Sequence, residues 1–221
     1  MRPAAATAVL GLALAVGAPA AWSLTSPAAT AGAPVEEVLG TPSASSSPVP
    51  GPMVPPNLPT VPTRPAAPGK QETEPAPVRL AVPALGVDSA VDPVGVEPDG
   101  RMTIPAEVDR VGWYRFGPAP GDDGSAVIAG HVDDREQGLG AMAPLRDAAV
   151  GDTVVVTDAA GTSARWRVVS RELIQKQALP LDRLFAREGP ARLTLITCGG
   201  PFLAEFGSYR DNVVVVAEPL S

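Results

Sequence analysis

Two strand-like runs near the C-terminal end, ARLTLITC at residues 191–198 and DNVVVVAE at residues 211–218, decide the fold. The second run is apolar without alternation, which is typical of a strand that is buried on both faces. The connection at residues 199–209 lets the second run return antiparallel beside the first. We therefore expect a hairpin at this end of a β-rich domain.

Similar patterns recur upstream of this hairpin. Further strand-like runs lie within 78–96 (two runs broken by Pro83 and Gly86), at 125–131 and, as a hairpin turning around Ala160 and Gly161, at 153–173. Short helical segments are predicted at 140–152, where Gly151 is the residue type favoured just past a helix end, and at 178–185. Many short strands and few helices predict a mainly β fold, a closed or nearly closed barrel.

The globular part of the chain is expected to begin at residue 78. Of the 27 prolines in 221 residues, 14 lie in the interval 26–77, which shows no hydrophobic period. Such a segment cannot bury enough apolar surface to offset the entropy lost on ordering, so we expect 26–77 to be a disordered linker. The remaining 144 residues, 78–221, suffice for one domain with its own core.

The first 25 residues predict export. Arg2 precedes a run that carries no charge until Glu36. About 21 uncharged residues are just long enough to cross ~30 Å of hydrocarbon, and residues 18–20 also fit a small-residue cleavage pattern. A cleaved signal peptide and an uncleaved membrane anchor both fit, and the anchor is the favoured interpretation. Either one predicts an exported protein, which we expect at the extracytoplasmic face of the plasma membrane or the cell surface.

Charge and residue counts exclude several kinds of site. The domain carries 14 basic and 20 acidic residues, so it lacks the basic surface that nucleic acid requires. One cysteine cannot form an intramolecular disulfide, and one cysteine with one histidine cannot complete a zinc site. Asp133, Asp134 and Glu136 are interpreted as a solvated loop, with calcium as the less favoured alternative. We expect no metal and no other cofactor.

The single cysteine and the single histidine both fall where a predicted strand ends. Alone, Cys198 is more often a buried small hydrophobe, and a lone histidine is more often structural. If the strands that end at His131 and Cys198 run parallel and adjacent, both side chains emerge on one rim of the sheet. Arg210 precedes the last strand and returns to the same rim if that strand is antiparallel to the cysteine strand.

These three residue types supply the parts of acyl transfer through a thioester. A free thiol has a pKa near 8.5, so only a few per cent is thiolate at pH 7. A neighbouring imidazole such as His131 can accept the thiol proton and later protonate a leaving amine. Attack on an amide creates an oxyanion, for which Arg210 offers planar, permanently charged donors.

The chain resembles the sortase family of Gram-positive cell-surface transpeptidases. The resemblance spans 78–221, and its strongest part is a threonine–cysteine pair with an upstream Gly-His and a downstream arginine. The stretches that carry it are LITCGG (195–200), SYRDN (208–212), VIAGHVD (127–133), VRLAVPALGVDSAV (78–91), GRMTIPAEVDRVGWY (100–114) and LRDAAVGDTVVV (145–156). The resemblance implies the eight-stranded sortase β-barrel with short helices.

The resemblance also implies roles for individual residues. Cys198 corresponds to the nucleophile that attacks the Thr–Gly bond of an LPXTG-like sorting signal, and His131 to the general acid or base. Arg210 corresponds to the residue that positions substrate and stabilises the oxyanion, and Thr197 to the threonine that lines the substrate groove. The thioacyl enzyme is then resolved by an amine of cell-wall peptide or of a pilin lysine.

Gly199, Gly200 and Pro201 after the cysteine depart from many relatives. With the sequence YRDN they make the chain most similar to actinobacterial class F sortases, with class E as the near neighbour. Gly199 and Gly200 are predicted to let a substrate backbone approach the thiol, although shaping a turn is an equally simple role. The choice of sorting motif is expected to depend on the connection at 172–190.

Two alternatives follow from the same residues. An L,D-transpeptidase also joins cysteine and histidine in cell-wall acyl transfer, but that family places an arginine soon after its cysteine and carries a second histidine. The other alternative is a non-catalytic β-barrel module displayed at the surface, with Cys198 buried. An inert core cysteine resists small thiol reagents, which separates this module from an enzyme.

Overall fold

The computed structural model describes residues 30–40 and 75–220. Eleven strands are present in these residues: β1 (Thr30–Gly32), β2 (Pro77–Val82), β3 (Val87–Val94), β4 (Val111–Tyr114), β5 (Ser125–Gly130), β6 (Asp133–Asp134), β7 (Gly138–Leu139), β8 (Thr153–Asp158), β9 (Ser163–Gln175), β10 (Arg192–Leu203) and β11 (Ser208–Pro219). The helices of the described residues are short: α1 (Val35–Leu39), α2 (Leu181–Leu184) and three 3₁₀ turns, Pro83–Leu85, Ala143–Asp147 and Lys176–Ala178. The mainly β prediction is confirmed.

Eight of these strands close into a barrel. Around the barrel the order is β8, β2, β3, β4, β5, β10, β11 and β9, and β9 pairs with β8 to complete the circle. Two of the pairings are parallel, β3 with β4 and β5 with β10. Closure satisfies the backbone hydrogen bonds that the edges of an open sheet would leave exposed.

The predicted strand polarity around the site is correct. β10 runs parallel to β5, with Ile196 opposite Ala129, and antiparallel to β11, with Cys198 opposite Asn212. β10 and β11 are both longer than predicted, and their pairing continues past a bulge between Gly199 and Phe202. Cys198 therefore lies within β10 rather than at its end.

The barrel has an inner core and an apolar cluster on its outer face. The alternating side chains of β10 and β11 separate the two: Leu195 and Val215 belong to the inner core, whereas Val214 and Val216 belong to the outer cluster. Because β11 is covered on both sides, its sequence is apolar without alternation, as the prediction of a doubly buried strand requires.

Residues 30–40 cover the outer face, which contradicts part of the predicted linker. β1 pairs antiparallel with residues 170–172 of β9, beyond the stretch of β9 that pairs with β8. Val35 at the start of α1 is fully buried against Leu184 and the outer face of β11. We call residues 30–40 the N-terminal strap. The rest of the interval 26–77 lies outside the described residues, apart from 75–77.

Other predictions near the barrel ends need correction or extension. The helix predicted over 140–152 is a single 3₁₀ turn, Ala143–Asp147, and Gly151 lies in the following turn with φ +100° rather than at a helix end. Strand β4 and the small β6–β7 hairpin were not predicted. The helical turn within 178–185 is confirmed as α2.

In the described residues, no helix has the length and apolar character needed to cross a membrane. The predicted signal peptide or anchor at 1–25 lies outside the described residues.

Candidate active site

The parallel pairing of β5 and β10 sets Cys198 beside His131. Extending the register Ile196↔Ala129 by two residues brings these two side chains opposite each other on the outer face. Between them, the buried Thr197 donates a hydrogen bond from Oγ1 to the Gly130 carbonyl oxygen at 2.9 Å. This bond ties together the two strand segments that carry the histidine and the cysteine. Both side chains are partly exposed.

Asn212 is the direct cross-strand neighbour of Cys198. The register of β10 and β11 places the two residues opposite each other, and cross-strand partners have Cβ atoms about 4.5–5.5 Å apart. Asn212, Cys198 and His131 line the same groove. The carboxamide adds a neutral donor and acceptor that the sequence analysis did not identify, because its position depends on strand register.

Arg210 lies on the same face of β11, two residues before Asn212. Its guanidinium group donates from Nε and Nη2 to the two carboxylate oxygens of Asp211, at 2.8 and 2.9 Å. The Asp211 side chain is 2% exposed, whereas that of Arg210 is 47% exposed. The hydrogen bonds to Asp211 raise the pKa of Arg210, so the group remains cationic. Arg210 lines neither of the cavities that adjoin Cys198.

The two glycines after the cysteine are required by packing. A Cβ on Gly199 would lie 2.8 Å from Val213 Cγ2 and 3.0 Å from Leu173 Cδ1. Gly200 has φ +72°, and a Cβ there would overlap the Asp211 carboxylate. The structure therefore gives both glycines a role in shaping the bulge of β10. They also line the smaller cavity described below.

A groove of about 880 Å³ lies on the outer face, and Cys198 is among its lining residues. Its floor includes Ala129, Ile196 and Asn212 from the barrel. One wall comes from the connection between β9 and β10, the same connection in which motif preference was expected. This wall contributes Lys176, Leu179, Leu181, Phe185 and Arg187. The opposite wall comes from the segment between β3 and β4, including Met102 and Ile104.

A second cavity of about 250 Å³ lies on the other side of Cys198, at the end of the barrel. Asp133 and Tyr209 lie in its wall, and the Tyr209 hydroxyl donates to Asp133 Oδ2 at 2.5 Å. This hydrogen bond is the main reason that the pKa of Tyr209 is raised. Burial and the charge of Asp133 contribute less.

No group of three or more potential metal ligands occurs in residues 30–40 and 75–220. Calcium was the less favoured alternative for the loop that contains Asp134. There, Asp134 Oδ1 accepts hydrogen bonds from the backbone N–H groups of Glu136 at 2.8 Å and Gln137 at 3.1 Å. These hydrogen bonds lower the pKa of Asp134, and the bond from Glu136 has the largest effect. Asp134 thus shapes the β6–β7 turn.

Residues 80–220 match the family model described as "Sortase domain". The chain belongs to the sortase family. Members of this family are cysteine transpeptidases that act at the cell surface on surface-protein substrates and on cell-wall or pilin acceptors. A comparison with curated proteins finds no match.

Solved sortase structures share the barrel. Sortase A from Corynebacterium diphtheriae (lid mutant) is 17% identical with a TM-score of 0.51 and covers 66% of this chain and 71% of its own. Sortase A from Listeria monocytogenes is 23% identical with a TM-score of 0.50, covering 66% and 88%. Sortase C-1 from Actinomyces oris is 19% identical with a TM-score of 0.51, covering 65% and 73%. These likenesses establish the fold.

Within the sortase domain, the predicted residues separate into two groups. Cys198, His131 and Thr197 line the groove, whereas Arg210 lies outside its lining and is held by Asp211. Sequence reasoning assigned no role at the thiol to Asn212, Asp211, Asp133 or Tyr209. Tyr209, Asp211 and Asn212 lie in the quoted SYRDN stretch and Asp133 ends the quoted VIAGHVD stretch, which are the signals that pointed to them.

Proposed function

We propose that this sortase cleaves an LPXTG-like sorting signal between its threonine and glycine and transfers the acyl part to an amine. The proposal is supported by the parallel pairing of β5 with β10 and by the presence of Cys198 and His131 in the lining of one groove. A partly exposed thiol next to an imidazole is suited to nucleophilic attack.

The proposed chemistry assigns one step to each group. His131 accepts the thiol proton as Cys198 attacks the carbonyl carbon, and then donates a proton to the leaving glycine amine. The oxyanion requires fixed donors, and two are near: the carboxamide of Asn212 and, after release from Asp211, the guanidinium of Arg210. Thr197 supports the reaction through its hydrogen bond to the Gly130 carbonyl.

The groove supports an extended peptide as the acyl donor. Its volume lies within the ~300–1,000 Å³ typical of ligand sites. Apolar side chains on both walls, among them Ile104, Leu179 and Phe185, suit the leucine and proline of such a signal. The connection that carries Leu179 and Phe185 is the segment that would set motif preference.

Cellular location and class belong to the same proposal. Residues 1–25 are proposed to hold the protein at the extracytoplasmic face of the membrane, where surface proteins and cell-wall amines meet. The TCGG and YRDN sequences support actinobacterial class F, with class E next. The family match favours this function over the L,D-transpeptidase alternative.

Intact mass spectrometry tests the proposal directly. The purified full chain is incubated with an LPXTG peptide, and its mass is recorded before and after a primary amine such as triglycine is added. We expect a mass gain confined to Cys198 that is released as the peptide–triglycine product, and no gain in Cys198→Ala. A wild-type thiol that neither forms the adduct nor reacts with small thiol reagents would instead support the non-catalytic surface module.

A further inference from the structure

The cavity at the end of the barrel shares Cys198 with the groove but has a different lining. Residues of the bulge and of the β6–β7 hairpin surround it, together with Leu173 and Val213 from the barrel interior. Its volume of about 250 Å³ is below the range of ~300–1,000 Å³ in which drug-sized ligands bind. It therefore suits a group the size of one side chain rather than a second extended peptide.

The Asp133 carboxylate is fixed at this cavity by its neighbours. Tyr209 donates to Asp133 Oδ2, and the Tyr209 ring is itself held edge-on against Phe202, with 5.3 Å between ring centroids. Among residues 30–40 and 75–220, no hydrogen bond is present to the second carboxylate oxygen of Asp133. A cationic donor that enters the cavity therefore finds a positioned acceptor.

The other charged groups of the cavity have partners of their own. Arg171 is buried and donates from Nε to the Ala148 carbonyl oxygen at 2.8 Å. Arg146 is mostly exposed and lies 3.5 Å from the Asp147 carboxylate. The remaining walls are apolar, with Leu139, Leu173 and Val213 among them. Asp133 is the one acidic side chain in the cavity lining and therefore the group there that can pair with an ammonium, while the apolar walls suit the aliphatic chain that carries it.

We propose that this cavity receives the acceptor of the second step, a primary amine at the end of an aliphatic side chain, with its ammonium group against Asp133. The inference rests on the proposed function, because only a thioacyl enzyme at Cys198 consumes such an amine. Donor and acceptor then approach the same sulfur from opposite sides. Tyr209 is a positioning residue that orients Asp133.

The second step is aminolysis of the thioester. The ammonium releases one proton to water, and the free amine nitrogen attacks the thioester carbonyl carbon, so a C–N bond forms and the C–S bond breaks. The departing sulfur keeps the bonding electron pair as thiolate. The amine loses its second proton to His131, which returns it to Cys198, and the products are an amide and the free thiol.

The test compares a charged and an uncharged acceptor on the full chain. Thioacyl enzyme is formed with an LPXTG peptide, and kcat/KM is measured for Nα-acetyl-lysinamide, an ammonium at neutral pH, and for hydroxylamine, which is uncharged there. In Asp133→Asn we expect the ratio of the two values to fall by at least about fivefold, the factor that a charge pair 4 Å apart contributes in a water-like dielectric. Asp123→Asn is the matched control, because Asp123 is exposed and precedes β5 at the opposite end of that strand.

A second measurement uses the wild-type protein and so does not depend on folding of the variant. Raising the ionic strength should lower kcat/KM for the lysinamide more than for hydroxylamine, because salt screens the attraction. Thioacyl enzyme that forms normally but shows an unchanged ratio in Asp133→Asn, or no salt selectivity in the wild type, would overturn this inference alone. Failure of the wild type to form thioacyl enzyme would overturn the proposed function as well.

Discussion

Thr197 and Cys198 are consecutive residues with opposite surroundings. Thr197 is 3% exposed and faces into the barrel, whereas Cys198 faces the groove. The alternation of a β-strand makes this contrast unavoidable, since successive side chains point to opposite faces. Thr197 is among the residues that line the groove, and its hydroxyl also holds β10 against β5 through the bond to the Gly130 carbonyl oxygen.

Thr197→Val tests this internal role. Valine has nearly the same shape but leaves the buried Gly130 carbonyl without its donor, so we expect a loss of about 1–3 kcal/mol in the free energy of unfolding. Acylation should also slow, because His131 follows Gly130 directly. Thr194→Val is the matched control: it removes the buried hydrogen bond to Ser125 Oγ at the other end of the same strand pair. Urea denaturation and the acylation rate of both variants are the measurements.

The Thr197 and Thr194 variants should lose similar stability, and only the Thr197 variant should lose rate. A Thr197→Val protein with normal stability and low activity would show that Thr197 acts from the groove wall rather than through its bond to the Gly130 carbonyl oxygen.

The effect of Arg210 is also set at the scale of single residues, because it depends on the neighbouring Asp211. Arg210→Ala is expected to lower kcat by a factor of about 10²–10³ if the guanidinium stabilises the oxyanion. The same change leaves the buried Asp211 carboxylate without its partner, which destabilises the fold. The double variant Arg210→Ala/Asp211→Asn should recover stability without recovering rate. Thermal unfolding and single-turnover acylation separate the two effects, and a loss of rate below about tenfold would demote Arg210 to positioning.

At the scale of elements, the pattern of apolar residues predicted most strands, because the pattern that marks a strand lies within a few consecutive residues. The convergence of His131 and Cys198 also followed from strand polarity alone. The neighbours Asn212 and Asp133 did not, since their distances to the thiol depend on register and on a two-residue strand, β6. Short elements such as β4 have too few residues for a period to be visible.

Asp92 of β3 forms an ion pair with Arg110, the residue before β4, and this pair leads to a prediction about pH. Arg110 donates from Nε to Asp92 Oδ2 at 2.6 Å and contacts the other carboxylate oxygen through Nη2. This bonding lowers the pKa of Asp92. A carboxylate with a lowered pKa in the folded state stabilises the protein above its unfolded value of about 3.9 and stops doing so as pH falls through the folded pKa.

We therefore expect Asp92→Asn to lower the Tm slightly at neutral pH, with the difference from wild type shrinking below about pH 4. Thermal unfolding of both proteins across this pH range is the measurement. A difference that stays constant with pH would assign the effect to packing rather than to charge.

At the scale of the whole molecule, the sequence predicted a disordered linker over 26–77 and did not predict the docking of residues 30–40. The VEEVL stretch of α1 is five residues long and stands between prolines and glycines, so no period reveals it. Its stability comes from tertiary contacts: Val35 is fully buried, and its N–H donates to Glu172 Oε2 at 2.9 Å. Such contacts exist only after the barrel has formed.

Two glycines of the N-terminal strap provide a matched test of this docking. Gly32 and Gly40 both have positive φ, +84° and +73°, so alanine costs about 1–2 kcal/mol of backbone strain at either position. At Gly32 a Cβ would also overlap the Val169 carbonyl oxygen, whereas at Gly40 it meets nothing within 4 Å. Gly32→Ala should therefore release the strap and speed amide hydrogen exchange in β1 and α1. Gly40→Ala should leave exchange in these elements slow, and equal exchange in the two variants would show that the strap is not held as described.

The docked strap limits the distance between the barrel and the membrane segment proposed at residues 1–25. Residues 41–74 begin and end at segments that lie on the barrel, so their length adds nothing to the separation between barrel and membrane. If residues 1–25 are embedded as proposed, only residues 26–29 bridge the gap, and the five steps from residue 25 to residue 30 reach at most ~18 Å. A 52-residue stalk would have placed the thiol anywhere within ~160 Å. If residues 1–25 are embedded as proposed, the docked strap keeps the barrel close to the membrane surface.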